Sequence, residues 1–387
     1  MLTPRIKFVD FQTKKKKKIK IEKNFFTIQN LLRKYKLLSS LTSDYSYGYS
    51  KKLINKIKKN LTFRLIGMGG STLGAEAIYQ FLNNRTKKNF IFINDLKPNL
   101  NKYEKNSKAV NIIISKSGNT LETIVNSNLL LKKNKNIFIT EKKNTYLLNL
   151  ANKLKSEIIE HKNFIGGRYS VLSEVGMLPA ELMGFKEKKF KKLNYLIKNK
   201  YFLKNLISNV SSILTFVESG KFNSVILNYD EQSENLLKWY QQLVAESLGK
   251  KSKGIFPIIS KMPKDNHSLL QLYLDGPKKN FFTFFNVFEK KTERFKKNSK
   301  DKSLNYLNNK SFFQILNAQK KATQNVFLTK KIPFRSFEIL NRNEETLGEL
   351  FSFFILETIL LGNALKVNLF DQPSVDLIKK ETKKILS

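Results

Sequence analysis

The stretch LTFRLIGMGGSTLGAEAIYQFLNN at 61–84 decides the fold. A short apolar run, LTFRLI, breaks into glycines and is followed at once by apolar residues at helical spacing. That is the form of a strand, a tight turn and a helix. AVNIIISKSGNTLETIVNSNLLLKKN at 109–134 repeats it. NFIFIND at 89–95 and NIFIT at 136–140 add two more short apolar runs, and TYLLNLANKLKS at 145–156 reads as a helix. Strands and helices alternating at this spacing predict a parallel sheet flanked by helices.

A second series begins near 201. It offers a strand at about 223–229, a helix in ENLLKWYQQLVAESLGK (234–250), the runs KGIFPIIS and FFTFFNVFE, and a helix in SFFQILNAQKKATQNVFLTKK. IPFRSFEIL then reads as a strand, and the apolar residues 347–362 as a closing helix. The expected fold class is therefore α/β with two doubly wound domains. The expected division is an N-terminal helical segment over 1–60, a first domain over 61–200, and a second over 201–387 with a C-terminal helix. The basic stretch 290–310 reads as a solvated surface segment. Ligands on such sheets bind beyond the carboxyl ends of the strands, which is where chemistry is to be sought.

Composition narrows the function. The 387 residues suit two or three domains, and an apolar content of 41% is enough for packed cores. With no cysteine and only two histidines, His161 and His267, disulfides, thiol nucleophiles and histidine-rich metal sites are excluded from the reading. A net charge of +40 invites nucleic acid as a partner, but eight arginines stand against sixty-three lysines. Base reading favours the guanidinium fork, and the aromatics lie inside apolar runs instead of forming stacking platforms. The expectation is no nucleic acid, with the lysines spread over solvated faces. LFSFFILETILLG at 350–362 contains Glu357 and is shorter than the roughly 20 residues that span a bilayer. The start of the chain lacks an apolar signal core. No membrane and a cytoplasmic location are expected.

Two turns could hold an anion. GMGGSTLG at 67–74 places Gly67, Gly69, Gly70 and Ser71 between a strand and a helix, where glycines allow close approach and free N–H groups attract negative charge. It could equally be a structural turn. SKSGNTLET at 115–123 offers Ser115, Lys116, Ser117, Asn119 and Thr120 at a second such junction, a set suited to a phosphate monoester, although Ser and Thr are also ordinary helix caps. Two such turns in consecutive units favour an anionic, sugar-type ligand.

Six motifs occur in one order: IGMGGSTLG, ISKSGNTLET, GGRYSVLSEVG (166–176), ESLGK (246–250), NHSLLQLYLDG (266–276) and FDQPSVDLIKK (370–380). Together they resemble the phosphoglucose isomerase family over about 61–380. The resemblance implies two flavodoxin-like sugar-isomerase (SIS) domains, an obligate homodimer with active sites at the subunit interface, and a sugar-phosphate substrate. It further implies reversible conversion of glucose 6-phosphate to fructose 6-phosphate through a cis-enediol(ate), without cofactor or metal. Neighbouring readings are an SIS isomerase that also takes mannose 6-phosphate, or a non-catalytic sugar-phosphate sensor.

Residue by residue, the resemblance assigns Glu246 as the base that moves a proton between C2 and C1. Arg168 would stabilise the enediolate, and His267, reaching from the neighbouring subunit, would open the sugar ring. Lys379 would assist at the ring oxygen, with Lys380 as its rival. Gln372 would contact the substrate, as would Gly70 and Gly167, and Glu122 would lie close by. Ser71, Ser115, Lys116, Ser117 and Thr120 would bind the 6-phosphate. His161 matches no catalytic position and reads as structural. The chain departs from the family in Ser374, Asp376 and Ile378 of the last motif and in Leu248 of ESLGK. It is also short for the family at its N-terminal end.

Overall fold

The computed structural model describes residues 1–13, 16–19, 21–22, 24–96, 109–131, 135–289, 292–296 and 302–387. Within them the strands run β1 (Ile6–Val9), β2 (Thr62–Gly67), β3 (Asn89–Ile93), β4 (Val110–Ile114), β5 (Asn136–Thr140), β6 (Glu157–Glu160), β7 (Asn223–Asn228), β8 (Phe256–Lys261), β9 (Asn280–Val287) and β10 (Phe334–Ile339). They form two five-stranded sheets.

The first sheet is parallel throughout in the order β3-β2-β4-β5-β6, the flavodoxin-like order. Its central strands are continuous apolar runs because helices cover both faces of such a sheet. VNIII and NIFIT are buried along their whole length. Leu65 of β2 lies beside Phe92 on one side and Ile112 on the other. At the start of the strands a polar row crosses the sheet. Buried Arg64 donates to Asn111 Oδ1 (3.3 Å), and Asn111 donates to Asn136 Oδ1 (2.8 Å). The residues forming this row are register partners.

The second sheet carries four parallel strands, β8-β7-β9-β10, with β1 antiparallel on the outer edge of β10. Here the expected helical segment over 1–60 is corrected. Helices Ile28–Lys34 and Lys51–Ile57 lie in that span, but IKFV forms β1, with Ile6 opposite Ile339 and Phe8 opposite Phe337. Alternation explains it: Ile6 and Phe8 are buried while Lys7 and Val9 face outward, as on a strand with one covered face. Within 290–310, residues 290–291 and 297–301 lie outside the described residues, and the turn Lys302–Leu307 buries no side chain.

The chain also divides differently from the expected 61–200 and 201–387. One compact unit comprises Met1–Lys20, Lys200–Glu231 and Gly254–Arg342, and the other Ile21–Asn199, Gln232–Lys253 and Asn343–Ser387. The reason is helix packing. Helix Glu234–Leu248 buries Leu236, Leu237, Trp239, Tyr240, Leu243 and Val244 against helices Leu73–Phe81 and Glu344–Leu365, which accompany the first sheet. Trp239 meets Phe351 edge-on at 4.7 Å, and Tyr240 donates to buried Glu357 (2.7 Å). Among the described residues, helix Glu344–Leu365 alone is long and apolar enough to cross a membrane, and 89% of its most apolar 18 residues is buried inside the protein. It is a core helix.

Candidate functional site

The turns after β2 and β4, the GGR segment and the end of helix Glu234–Leu248 all belong to the unit of the first sheet. In the first turn Gly69 has φ +53°, a left-handed conformation that suits glycine, and a Cβ there would stand 2.8 Å from Gln242 Nε2. Gly70 sits directly on the second glycine turn. A Cβ at Gly70 would lie 2.2 Å from the carbonyl carbon of Gly167. Only hydrogen fits between GMGG and GGR. Ser170 ties the two together by donating to Gly167 O (2.7 Å) and Gly70 O (3.3 Å). Ser71 follows, half-buried, before helix Leu73–Phe81.

The turn after β4 bends at Gly118, φ +65°, against Thr145. Ser115 and Thr120 hydroxyls are 2.8 Å apart across the loop, and Ser117 is exposed, accepting from Asn119 N (3.3 Å). Lys116 reaches over the loop to donate to Asn163 O (2.7 Å), with Glu141 at 3.8 Å. Partial burial lowers the Lys116 pKa, Glu141 opposing that effect. Thr120 precedes helix Leu121–Leu130, whose first turn holds half-buried Glu122. The loop therefore presents hydroxyls, an ammonium and the N-terminus of a ten-residue helix, a combination that attracts an anion.

Arg168 lies 4% exposed in the turn Gly167–Leu172. Its Nη1 donates to Glu246 Oε1 at 2.5 Å and to Gln372 Oε1 at 3.0 Å. Its Nη2 donates to the carbonyls of Leu369 (2.6 Å) and Asp371 (3.2 Å). The buried Nε has no partner among the described residues. One guanidinium thus joins the last helical turn of Glu234–Leu248 to the FDQ segment. The other carboxylate oxygen of Glu246 accepts from Gln242 Nε2 at 3.0 Å. Glu246 keeps 20% of its side chain exposed, so it is oriented by two donors yet reachable. Tyr169, beside Arg168, bonds Ser247 Oγ (2.7 Å), and burial raises its pKa.

Arg168, Glu246, Gln372, Gly70 and Gly167 are therefore brought together. His267 belongs to the unit of the second sheet and is exposed, between the turn Lys264–Asn266 and helix Leu270–Asp275. Lys379 stands on helix Pro373–Leu386, which buries no residue, and its Nζ lies 3.2 Å from Asp376 Oδ1. Lys380 is exposed on the same helix. Gln242 was missed by sequence reasoning, although its four-residue spacing from Glu246 puts both on one helix face. His161 is buried, and desolvation pushes its pKa down to about 4. Among the described residues no three His, Cys, Asp or Glu side chains cluster as a metal site.

Comparison with known proteins places this geometry in a family. Residues 12–260 match the phosphoglucose isomerase family model. The chain is 33% identical over 341 residues to a glucose-6-phosphate isomerase of Methanocaldococcus jannaschii, with 82% of each chain covered. It is 35% identical over 354 residues to the enzyme of that name from Mycoplasmopsis pulmonis, covering 83% of this chain and 82% of that one. In structure it is similar to a hypothetical protein of Thermus thermophilus, with a TM-score of 0.81, 23% identity and 93% of each chain covered. It is also similar to a glucose-6-phosphate isomerase of Chlamydia trachomatis, with a TM-score of 0.72 and 18% identity over 90% of this chain and 77% of that one.

Proposed function

The chain belongs to the phosphoglucose isomerase family, and from that membership we infer that it interconverts glucose 6-phosphate and fructose 6-phosphate. The observation that carries the reading is the 2.5 Å pair between Arg168 and Glu246, set among three turns rich in glycine or hydroxyl groups. Aldose–ketose exchange needs a base that takes a proton from C2 and returns it to C1, and Glu246 is our candidate. Its two oxygens are held by different donors, so one can stay oriented while the other meets substrate. As the C2–H bond breaks, its electron pair forms the C1–C2 double bond of a cis-enediolate and charge gathers on O1. A guanidinium stabilises that charge without giving up a proton, the part we give to Arg168.

The 6-phosphate would sit on Ser115, Lys116, Ser117 and Thr120, with Ser71 beside it. The hydroxyl pairing of Ser115 with Thr120 and the ammonium of Lys116 support this. Gly70, Gly167 and Gln372 would border the sugar, with Glu122 close to the phosphate loop. Ring opening calls for a group that shuttles protons near neutral pH. We assign it to His267 from a second copy in a homodimer, with Lys379 assisting at the ring oxygen. Both side chains are exposed and so accessible to a second copy. A cytoplasmic location belongs to the same proposal.

A coupled assay of fructose 6-phosphate to glucose 6-phosphate tests the reading, comparing wild type with Glu246→Gln. We expect turnover in the wild type and a loss on the order of 10²–10⁴-fold in the variant. Full activity in Glu246→Gln overturns the base assignment, and an inactive wild type overturns the function.

A further inference from the structure

The segment that supplies Glu246 runs on into a tight turn, Lys250–Lys253. Lys250 N–H donates to Lys253 O (3.1 Å) and Lys253 N–H to Lys250 O (2.9 Å). Between them Lys251 and Ser252 take φ +53° and +55°, left-handed values that residues with a Cβ adopt at a conformational cost. Turns of this kind are ordinarily built from Asn and Gly. Backbone held in such a conformation needs surroundings that fix it.

The two lysines at the base of the turn both reach the chain that follows helix Glu344–Leu365. Lys253 Nζ donates to Leu365 O at 3.0 Å. Lys250 Nζ donates to Asn368 O and pairs with Asp371 Oδ1 at 3.0 Å. Asn368 Nδ2 donates to the other Asp371 oxygen (3.0 Å), so that carboxylate is held on both sides. Hydrogen bonding to Lys250 keeps the Asp371 carboxyl below the usual carboxylate range. The Lys250 side chain is 10% exposed, which sets it apart from a lysine on a solvated face.

Arg168 grips the same segment, but its Nη1 serves Glu246 and Gln372 together. An enediolate oxygen arriving there competes for those N–H groups, and the hold on Gln372 slackens as charge develops. Lys250 holds the segment through the Asn368 carbonyl and the Asp371 carboxylate, neither of which the isomerisation uses. We propose that Lys250 is a positioning residue for this reaction, keeping Asp371 and its neighbour Gln372 in place while Arg168 turns to the developing charge. The inference rests on the isomerase reading of the Arg168–Glu246 site. Lys250 touches no reacting atom, and its support matters most in the transition state, so its loss should appear in kcat before KM.

Steady-state kinetics with fructose 6-phosphate on the full chain test this in Lys250→Met, Lys250→Cys and Asp371→Asn, with the thermal midpoint of each. In Lys250→Met kcat should fall roughly tenfold, the scale of one charge-assisted hydrogen bond. Its KM should stay within about twofold of wild type. Asp371→Asn should lower kcat by roughly two- to fivefold, the scale of a half-exposed ion pair. The chain has no cysteine, so the thiol of Lys250→Cys is alone and can be alkylated selectively. Aminoethylation with 2-bromoethylamine, confirmed by mass, restores an ammonium at lysine length and should recover most of the lost kcat. Propylation restores the bulk without the charge and should not. A folded Lys250→Met with wild-type kcat, a loss confined to KM, or equal recovery with the propyl group overturns the proposal. If Lys250→Met does not fold, Asp371→Asn decides, and an unchanged kcat there overturns it. A wild type without turnover overturns the isomerase reading and this proposal with it. The other outcomes require an active wild type, so the two failures are distinguishable.

Discussion

Arg168 and Glu246 meet at 2.5 Å although GGR and ESLGK are far apart in sequence, and the same guanidinium grips Gln372 and the carbonyls of Leu369 and Asp371. A lysine carries one compact charge and cannot reach all four groups. Arg168→Lys should therefore lower kcat on the order of 10²–10³-fold, comparable to losing an oxyanion donor. It should also loosen the FDQ segment. Steady-state kinetics with thermal unfolding checks both effects.

Gly70→Ala is expected to act through sterics alone, because φ at Gly70 is not positive. The added methyl would overlap the Gly167 carbonyl and push GMGG away from GGR. Overpacking of this kind costs about 1–3 kcal/mol. Activity should fall further than stability, since the two turns forced apart include the one that carries Arg168. Calorimetry beside kcat measurement separates the two losses.

Gln242→Leu removes the 3.0 Å donor to Glu246 Oε2 but keeps the helix and much of the volume. A hydrogen bond to a charged group is worth about 1.5–3 kcal/mol. A tenfold or greater fall in kcat with a smaller change in KM is expected, because the residue orients the base. An effect confined to KM would mean that Gln242 only touches substrate.

His161 sets a pH dependence of folding. Burial holds its pKa at about 4 against an ordinary 6.5, so the folded chain keeps it neutral where the unfolded chain protonates it. Its contribution is complete above pH 6.5 and is lost progressively as pH falls toward about 4. The full difference is about 3 kcal/mol. Denaturant unfolding at several pH values should show this acid limb in the wild type and a flatter one in His161→Gln.

The β-rich runs and glycine turns were legible because parallel strands covered on both faces are unbroken apolar words, as VNIII and NIFIT are. β1 was not, because IKFV is four residues in a lysine-rich context and its partner is β10, near the other end. Membership of helix Glu234–Leu248 in the first sheet's unit was equally hidden, since it depends on which faces Trp239 and Tyr240 find to pack against. In the site, Arg168 and Glu246 were assigned through GGR and ESLGK, two of the ordered motifs that carry the resemblance. Gln242 was not, because a neutral amide carries no signature until the carboxylate it serves is known.

The interleaving of the two units bears on how the chain comes off the ribosome. The first sheet is translated well before helix Glu344–Leu365, which covers part of its unit's core. At roughly 5–20 residues per second, β2 waits on the order of tens of seconds for that helix. β1 waits as long for β10. The second sheet's unit has all its segments once Arg342 is made, whereas the first sheet's unit still waits for residues 343–387, so a chain stalled between the two leaves the earlier-made sheet with the incomplete core.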